Sequence, residues 1–255
     1  MITAGIESGA KNTKVVIMDN DKILCKNMVL TGFDQRLAVK RAFEDALKAG
    51  NLSKDKIEKI GATGSGKDFV EIADVNVNDI KAMGKAANYF FSNARTVVDV
   101  GSEEGRTVKI NENGDIEDFV INEKCAAGAG SFIEAMARAL EVDLEEMGPL
   151  ALTSDKEIGM NAQCVVFAES EVVGLIHAKT ATNDISRAIH DSMASRIVSM
   201  IRRIGVNEDI VVMGGVGRNP GFITPIQREL NVEKIYVPDE PEFGPALGAA
   251  LVAAL

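Results

Sequence analysis

Two of the three cysteines stand where a helix is predicted to begin. Cys125 precedes the small-residue stretch AAGAG and a helical pattern over 129–141, and Cys164 lies in NAQCVVFAESEVVGLI, at the start of a second helical pattern. The positive end of a helix stabilises negative charge and so favours the thiolate, the form that binds metal. Either cysteine alone could be a small buried apolar residue, and Cys25, within a predicted strand, is interpreted that way. The similar placement of Cys125 and Cys164 favours a pair of metal ligands.

The number of cysteines limits the kind of metal site. No Cys-x-x-Cys pair is present, so the chain has no self-contained zinc or iron–sulfur motif of the usual spacing. A [4Fe–4S] cluster takes four thiolates, whereas one chain offers two at these helix starts. A twofold dimer supplies four. We therefore hypothesise a cluster on a dimer axis, held by Cys125 and Cys164 of each subunit.

Three glycine-bearing turns each follow an apolar strand. The first glycine turn is GIESGAKNTK (5–14), the second is DVGSEEG (99–105) and the third is GGVGRN (214–219). Glycine lets backbone N–H groups approach an anion closely, although a single such turn can be no more than a turn. The sequence lacks G-x-x-x-x-G-K-[ST], and it lacks G-x-G-x-x-G in a βαβ setting, so neither a P-loop nor a dinucleotide fold is expected.

Acidic residues accompany two of these turns. Glu7 and Asp99 lie at matching points near the ends of two strands, where a carboxylate suits Mg²⁺ bound through water and nucleotide phosphates. Lys14 could offset phosphate charge. The residues predicted to bind nucleotide are Gly9, Ala10, Lys14, Gly101, Ser102, Gly128, Gly130, Gly214, Gly215, Gly217 and Asn219, and those predicted to act in catalysis are Glu7, Asp99 and Glu103.

The elements that position these residues occur twice. A strand, a glycine turn, hairpin strands and a helix span about residues 2–48 and again about 96–141, which indicates a duplicated α/β unit. We expect domains at 1–94 and 95–243, with the helix at 244–255 packing back on the first. The pattern resembles the actin, Hsp70 and sugar kinase superfamily, of ribonuclease H-like fold, in which two related domains clamp a nucleotide.

Several stretches resemble one family more closely. KCAAGAG and CVVFAESEV are similar to the BadF/BadG/BcrA/BcrD ATPase family, which contains the activators of 2-hydroxyacyl-CoA dehydratases and ATPase subunits of benzoyl-CoA reductase. The resemblance covers essentially the whole chain. It implies a dimer, homomeric or with a related subunit, that binds ATP and Mg²⁺ and shares one [4Fe–4S] cluster, with Cys125 and Cys164 matching the ligands. It also implies that ATP hydrolysis drives a low-potential electron from ferredoxin or flavodoxin to a partner iron–sulfur enzyme.

The glycine turns depart from that family in two places. Glu7 replaces an aspartate in the first turn, and DVGSEEG replaces the DIGGQD of the dehydratase activators in the second, which places Ser102 and Glu103 at the altered positions. A carboxylate near the γ-phosphate could act as a base for water or could repel the nucleotide. The altered turn is slightly more similar to that of a benzoyl-CoA reductase ATPase subunit.

Composition and charge limit the kinds of function that this protein could have. A net charge of −10 with no basic face argues against nucleic-acid binding, and no apolar run is long enough to span a membrane, so we expect a cytoplasmic protein. His177 and His190, without partners at ligand spacing, are interpreted as structural or surface residues, and EVDLEEMG (141–148) as a solvated surface. GSGKD (64–68) resembles a family loop that could face the cluster or partner, or is a simple turn. The alternatives are an amino-sugar kinase of the same superfamily and a regulatory protein that binds nucleotide without turnover.

Overall fold

The computed structural model describes residues 1–122, 129–160 and 164–255. The chain divides into two compact units. The first contains residues 1–94, 110–117 and 242–255, and the second contains 95–109 and 118–241. None of the helices in the described ranges is both long enough and apolar enough to cross a membrane.

The first unit is built on a five-stranded mixed sheet. Its elements are β1 (Ile2–Ser8), β2 (Asn12–Asp19), β3 (Lys22–Leu30), α1 (Gln35–Ala49), β4 (Lys59–Thr63), β5 (Val75–Asn76), α2 (Asp79–Phe90) and, from the end of the chain, α8 (Gly244–Ala253). The strand order is β3-β2-β1-β4-β5, with β2 antiparallel and β4 parallel to β1. Alternating apolar residues of β1 and β2 pack against α1, and Ile6, Val15 and Phe43 are members of this core.

The second sheet repeats this topology. Its elements are β6 (Thr96–Val100), β7 (Gly105–Ile110), β8 (Ile116–Asn122), β9 (Ile210–Met213) and β10 (Ile235–Tyr236). The order β10-β9-β6-β7-β8 matches the first sheet when β6 is equated with β1, and β7 is again antiparallel and β9 parallel to the central strand. The predicted duplication of an α/β unit is therefore confirmed in the strand order itself.

The second unit adds a helical layer to its sheet. The helices are α3 (Gly130–Leu140), α4 (Leu144–Ala151), α5 (Val165–His177), α6 (Thr182–Ile204) and α7 (Pro220–Leu230). Apolar side chains from all five join Val98 and Val212 of the sheet in one continuous core. The 23-residue helix α6 contributes much of it, since its buried face recurs every three or four residues along its whole length.

Two of these helices are not anticipated from the sequence. EVDLEEMG, predicted as a solvated surface, contains the first turns of α4, in which Met147 and Gly148 are buried. Helix α7 begins at Pro220 and contains Pro225. A proline inside a helix removes a backbone hydrogen bond, so Pro225 makes the sequence less helical in appearance. Burial against α6 outweighs this local disadvantage, as Phe222 and Ile226 belong to the core of the second unit.

Helix α8 lies close against the first sheet because glycines leave room for it. A Cβ on Gly5 would lie 1.9 Å from the carbonyl oxygen of Ala246, and one on Gly61 would lie 2.3 Å from that of Ala249. These separations are far below van der Waals contact, so the small residues of β1 and β4 set the depth at which the helix packs. The last helix of the chain thus stabilises the strand that carries Glu7.

Candidate nucleotide and cluster site

The first glycine turn is a tight β1–β2 connection with an ion pair at its base. Lys14 Nζ donates to Glu7 Oε2 at 2.9 Å, and both side chains are largely buried. The Gly9 amide donates to the Asn12 carbonyl at 3.1 Å, which closes the turn and leaves Ala10 exposed at its tip. The turn therefore brings together Glu7 and Lys14, two of its predicted site residues.

The second glycine turn has the same design in the second unit. Asp99, near the end of β6, is 3% exposed, and Arg106 Nη1 donates to its Oδ2 at 3.3 Å. Arg106 Nη2 also donates to Glu104 Oε2. The Gly101 amide donates to the Glu104 carbonyl at 3.0 Å and closes the turn, while Glu103 is exposed. Glu104 and Arg106 are not among the site residues predicted from the sequence. The hairpin register, which pairs Arg106 with Asp99, could have indicated Arg106.

The third glycine turn lies directly beside the second. Gly214 has φ +81°, and a Cβ there would lie 2.3 Å from the Val100 carbonyl oxygen and 2.8 Å from Asp99 Oδ1. Only glycine fits this combination of positive φ and close approach. A short 3₁₀ segment over Gly215–Arg218 follows. Three predicted site residues, Asp99, Gly101 and Gly214, therefore form one backbone-lined cluster within the second unit.

Asn219 ends the third glycine turn with both side-chain amide atoms engaged by the protein. Its Oδ1 accepts from the Gly221 amide at 2.9 Å and caps α7, while its Nδ2 lies 3.0 Å from His190 Nε2. His190 Nδ1 lies 2.7 Å from the Ser186 carbonyl oxygen and donates to it, so Nε2 accepts from Asn219. His190 is 1% exposed, and burial lowers its pKa, which keeps the ring neutral. The role of Asn219 visible here is to shape the turn.

The second glycine turn is also joined to the start of α3. The Gly130 amide donates to the Gly101 carbonyl at 2.8 Å, and the Ser131 amide donates to the Ser102 carbonyl at 2.9 Å. The first amides of a helix have no partner within it, and here two of them bind the turn. This link was not anticipated from the sequence. Cys125 and Gly128, which precede α3, lie outside the described residues.

Cys164 is the N-cap of α5 and is partly exposed. Helix α5 packs on α3, since Ala168 and Val172 share the core of the second unit with Phe132. Val166 and Phe167, which follow Cys164, are about two-thirds exposed. By contrast, Cys25 lies in the first unit, where its thiol donates to the Ala46 carbonyl at 3.1 Å. Cys164 therefore lies at the start of a helix, where the sequence predicted it. Its role as a metal ligand stays a prediction.

The duplicated sheets, each with a hairpin turn at its central strand, define a fold of the actin and sugar kinase type. A glucokinase of the ROK family from Streptomyces griseus shares this fold, with a TM-score of 0.64 and 14% identity over 100% of this chain and 99% of that chain. Residues 4–253 match the model of the BadF/BadG/BcrA/BcrD ATPase family, and the chain belongs to that family.

Relatives within the family are dehydratase activators and a component of a reductase. The 2-hydroxyisocaproyl-CoA dehydratase activator of Clostridioides difficile is 34% identical over 99% of this chain and 95% of that protein. The solved structure of the activator of the 2-hydroxyisocaproyl-CoA dehydratase from Clostridium difficile, with bound ADPNP, has a TM-score of 0.93 and 35% identity, and the match covers 99% of this chain and 94% of that one. One of the benzoyl-CoA reductase subunits of Thauera aromatica is 27% identical over 98% of this chain and 92% of that protein. The dehydratase activator is thus more similar to this chain in sequence than the reductase subunit is.

Proposed function

We propose that this ATPase is an electron-transfer activator, which uses ATP hydrolysis to drive a low-potential electron from a [4Fe–4S] cluster into a partner iron–sulfur enzyme. The partner is of the 2-hydroxyacyl-CoA dehydratase or benzoyl-CoA reductase type. Hydrolysis of ATP is the activity of the family, and relatives named as a dehydratase activator and as a benzoyl-CoA reductase subunit support the partner class. The electron donor we propose is ferredoxin or flavodoxin.

The observation that carries the proposal is the pair of hydrogen bonds between the second glycine turn and α3. Gly101 and Ser102, predicted to contact phosphate, accept from the first two amides of the helix that follows Cys125. Helix α3 in turn packs against α5, whose N-cap is Cys164. A change in the turn between ATP and ADP would therefore act on α3 and, through it, on α5, as a nucleotide switch requires.

The residues fit the cofactors that this function needs. Cys164 is the N-cap of a 13-residue helix and is partly exposed, so its sulfur is open to a metal. We propose that it and Cys125, from each of two chains, hold one cluster, which when bound supplies one-electron chemistry. Glu7 and Asp99 are oxygen ligands suited to Mg²⁺, each with a protein cation within 3.3 Å. Glu103, exposed on the second turn, remains a candidate for orienting water.

The test uses anaerobically purified protein and three matched cysteine variants. We expect Cys125→Ser and Cys164→Ser to lose bound iron and the cluster's charge-transfer absorption while ATP binding survives. Cys25→Ser, in the first unit, is the control and keeps the iron. Iron-free wild-type protein, or iron that persists in both helix-start variants, contradicts the cluster.

The same preparations separate this function from phosphorylation of a small molecule. An activator hydrolyses ATP without an added acceptor and transfers electrons only when both helix-start cysteines are present. An amino-sugar kinase would phosphorylate its sugar equally well in the wild-type protein and in Cys125→Ser. That outcome would replace the proposal with the kinase alternative.

A further inference from the structure

Both hairpins carry the same cross-strand ion pair at the same register. Glu7 is paired directly with Lys14 between β1 and β2, and Asp99 with Arg106 between β6 and β7. Each acid is the second-last residue of its strand, and each bridge is largely buried. The duplicated unit has therefore kept a charge pair, rather than an acid alone, at the place where a nucleotide-bound cation is proposed to bind.

The pair in the second unit has an additional acid. Arg106 donates through one nitrogen to Asp99 and through the other to Glu104. The Asp99 side chain is 4% exposed, whereas that of Glu104 is 35% exposed. The two Nη nitrogens of a guanidinium point in fixed directions and can donate to two different carboxylates. An ammonium group bridges two carboxylates less well. Arg106 is thus shared between a buried acid and an acid at the rim of the turn.

This arrangement places two cations in competition for one carboxylate. A buried carboxylate without a counter-ion is unfavourable, and Arg106 provides that counter-ion to Asp99. A divalent cation needs the same oxygens. We propose that Arg106 is a resident counter-ion, which the metal of the bound nucleotide displaces from Asp99 and which Glu104 then retains beside the turn. Arg106 and Glu104 are positioning residues in this scheme, which rests on the proposed nucleotide site.

The exchange predicts opposite effects of the two neighbours on metal binding. Arg106→Gln removes the competitor, so the affinity for metal should rise by about ten- to a hundredfold, the range expected for loss of one hydrogen bond to a charged group. Glu104→Gln removes the charge of an acceptor that can hold the displaced guanidinium, so the affinity should fall by a similar factor. Arg106→Lys keeps the charge but loses the two-pronged bridge, and should bind metal with an affinity between those of wild type and Arg106→Gln.

A double-mutant cycle distinguishes exchange from a general change in charge. The probe is Mn²⁺ together with ADPNP, with bound Mn²⁺ measured by electron paramagnetic resonance. If Glu104 acts through Arg106, Glu104→Gln has no effect once Arg106 is Gln. If both act only through their charge, the two effects add. Arg36→Gln, which breaks an exposed Arg36–Glu71 pair in the first unit, is the control and binds Mn²⁺ as wild type does.

The outcomes also separate this inference from the proposed function. Wild-type protein that binds no ADPNP overturns both. Wild-type protein that binds ADPNP, with additive effects or with weaker Mn²⁺ binding in Arg106→Gln, leaves the function in place and overturns the exchange. Should Arg106→Gln not fold, Arg106→Lys takes its place in the cycle, and Glu104→Gln must then have a smaller effect in the Lys background than in wild type.

Discussion

The amide of Gly130 donates to the carbonyl of Gly101 at 2.8 Å, which joins the first residue of α3 to the second glycine turn. The next residue repeats the contact, since the Ser131 amide donates to the Ser102 carbonyl at 2.9 Å. Backbone bonds of this kind depend little on side-chain identity. They give the turn a direct mechanical connection to the helix that follows Cys125.

Replacing Ser131 by Pro should uncouple nucleotide from cluster. Proline is tolerated in the first turn of a helix, so α3 should form, but the amide that binds Ser102 is lost. One such bond contributes about 0.5–1.5 kcal/mol, which corresponds to about a two- to tenfold loss of coupling. We expect ATP hydrolysis to continue while the ATP-dependent release of cluster iron to a chelator falls by that factor.

The matched control is Ser131→Ala, which removes the hydroxyl and keeps the amide. It should resemble wild type in both phosphate release and iron release. Equal behaviour of the proline and alanine variants would show that this bond does not transmit the nucleotide state.

Replacing Gly148 of α4 by Ala should disturb the third glycine turn through contact with Asn219. A Cβ on this residue of α4 would lie 2.1 Å from Asn219 Oδ1 and 3.1 Å from Pro220 Cδ. Asn219 would have to move, which breaks its bonds to Gly221 and His190. We expect a loss of about 1–3 kcal/mol in stability, typical of overpacking, together with weaker ADPNP binding.

Urea unfolding and a calorimetric ADPNP titration measure the two effects of that change. Gly159→Ala is the control, because its added Cβ has no atom within 4 Å. It should leave both quantities unchanged. Unaltered ADPNP affinity in Gly148→Ala would mean that Asn219 has no part in shaping the nucleotide site.

The thiol of Cys25 should react slowly in the folded protein. Burial raises its pKa above the ordinary value, and its hydrogen bond to Ala46 holds it beneath Gly50. Less thiolate is therefore available for alkylation at a given pH. Mass spectrometry after a timed iodoacetamide pulse should show slower labelling at Cys25 when folded than in urea. Equal rates would contradict a partly buried, structural thiol.

The parts of the fold that the sequence predicts are those with a local signal. The hairpins, α1 and α6 have clear periodicity or turn residues, and the three glycine turns were recognised because each follows an apolar strand. Helices α4 and α7 were missed because Pro149 and Pro225 interrupt their patterns and only tertiary burial stabilises them.

The contacts that were not anticipated join residues distant in sequence. His190 is buried, in agreement with its interpretation as a structural residue, but nothing local marks its contact with Asn219 on another element. Arg106 has a readable signal, as it stands opposite Asp99 in the hairpin. The hydrogen bond between Gly130 and Gly101 involves only backbone atoms, so it could not be predicted from residue types.

His190 should make stability depend on pH. Burial lowers its pKa below the ordinary 6.5 in the folded protein, although nearby Asp191 acts in the other direction. Between the folded and the unfolded pKa, the unfolded chain binds more protons. The stabilisation is therefore fully present above about pH 6.5 and is lost as the pH falls through that window, by up to ~1.4 kcal/mol per pH unit.

Urea unfolding across that pH range, in wild type and in His190→Gln, isolates this contribution. The neutral amide of glutamine cannot titrate, so the variant should be less stable at neutral pH and should lose less stability on acidification. His177→Gln removes the exposed histidine at the end of α5 and should keep the wild-type slope. Because protonation of His190 removes the acceptor for Asn219, ADPNP binding to the wild-type protein should weaken only as the pH falls through the lowered pKa of folded His190. This weakening should be absent in His190→Gln. Parallel pH profiles for the two proteins would show that His190 does not link acidification to the third glycine turn.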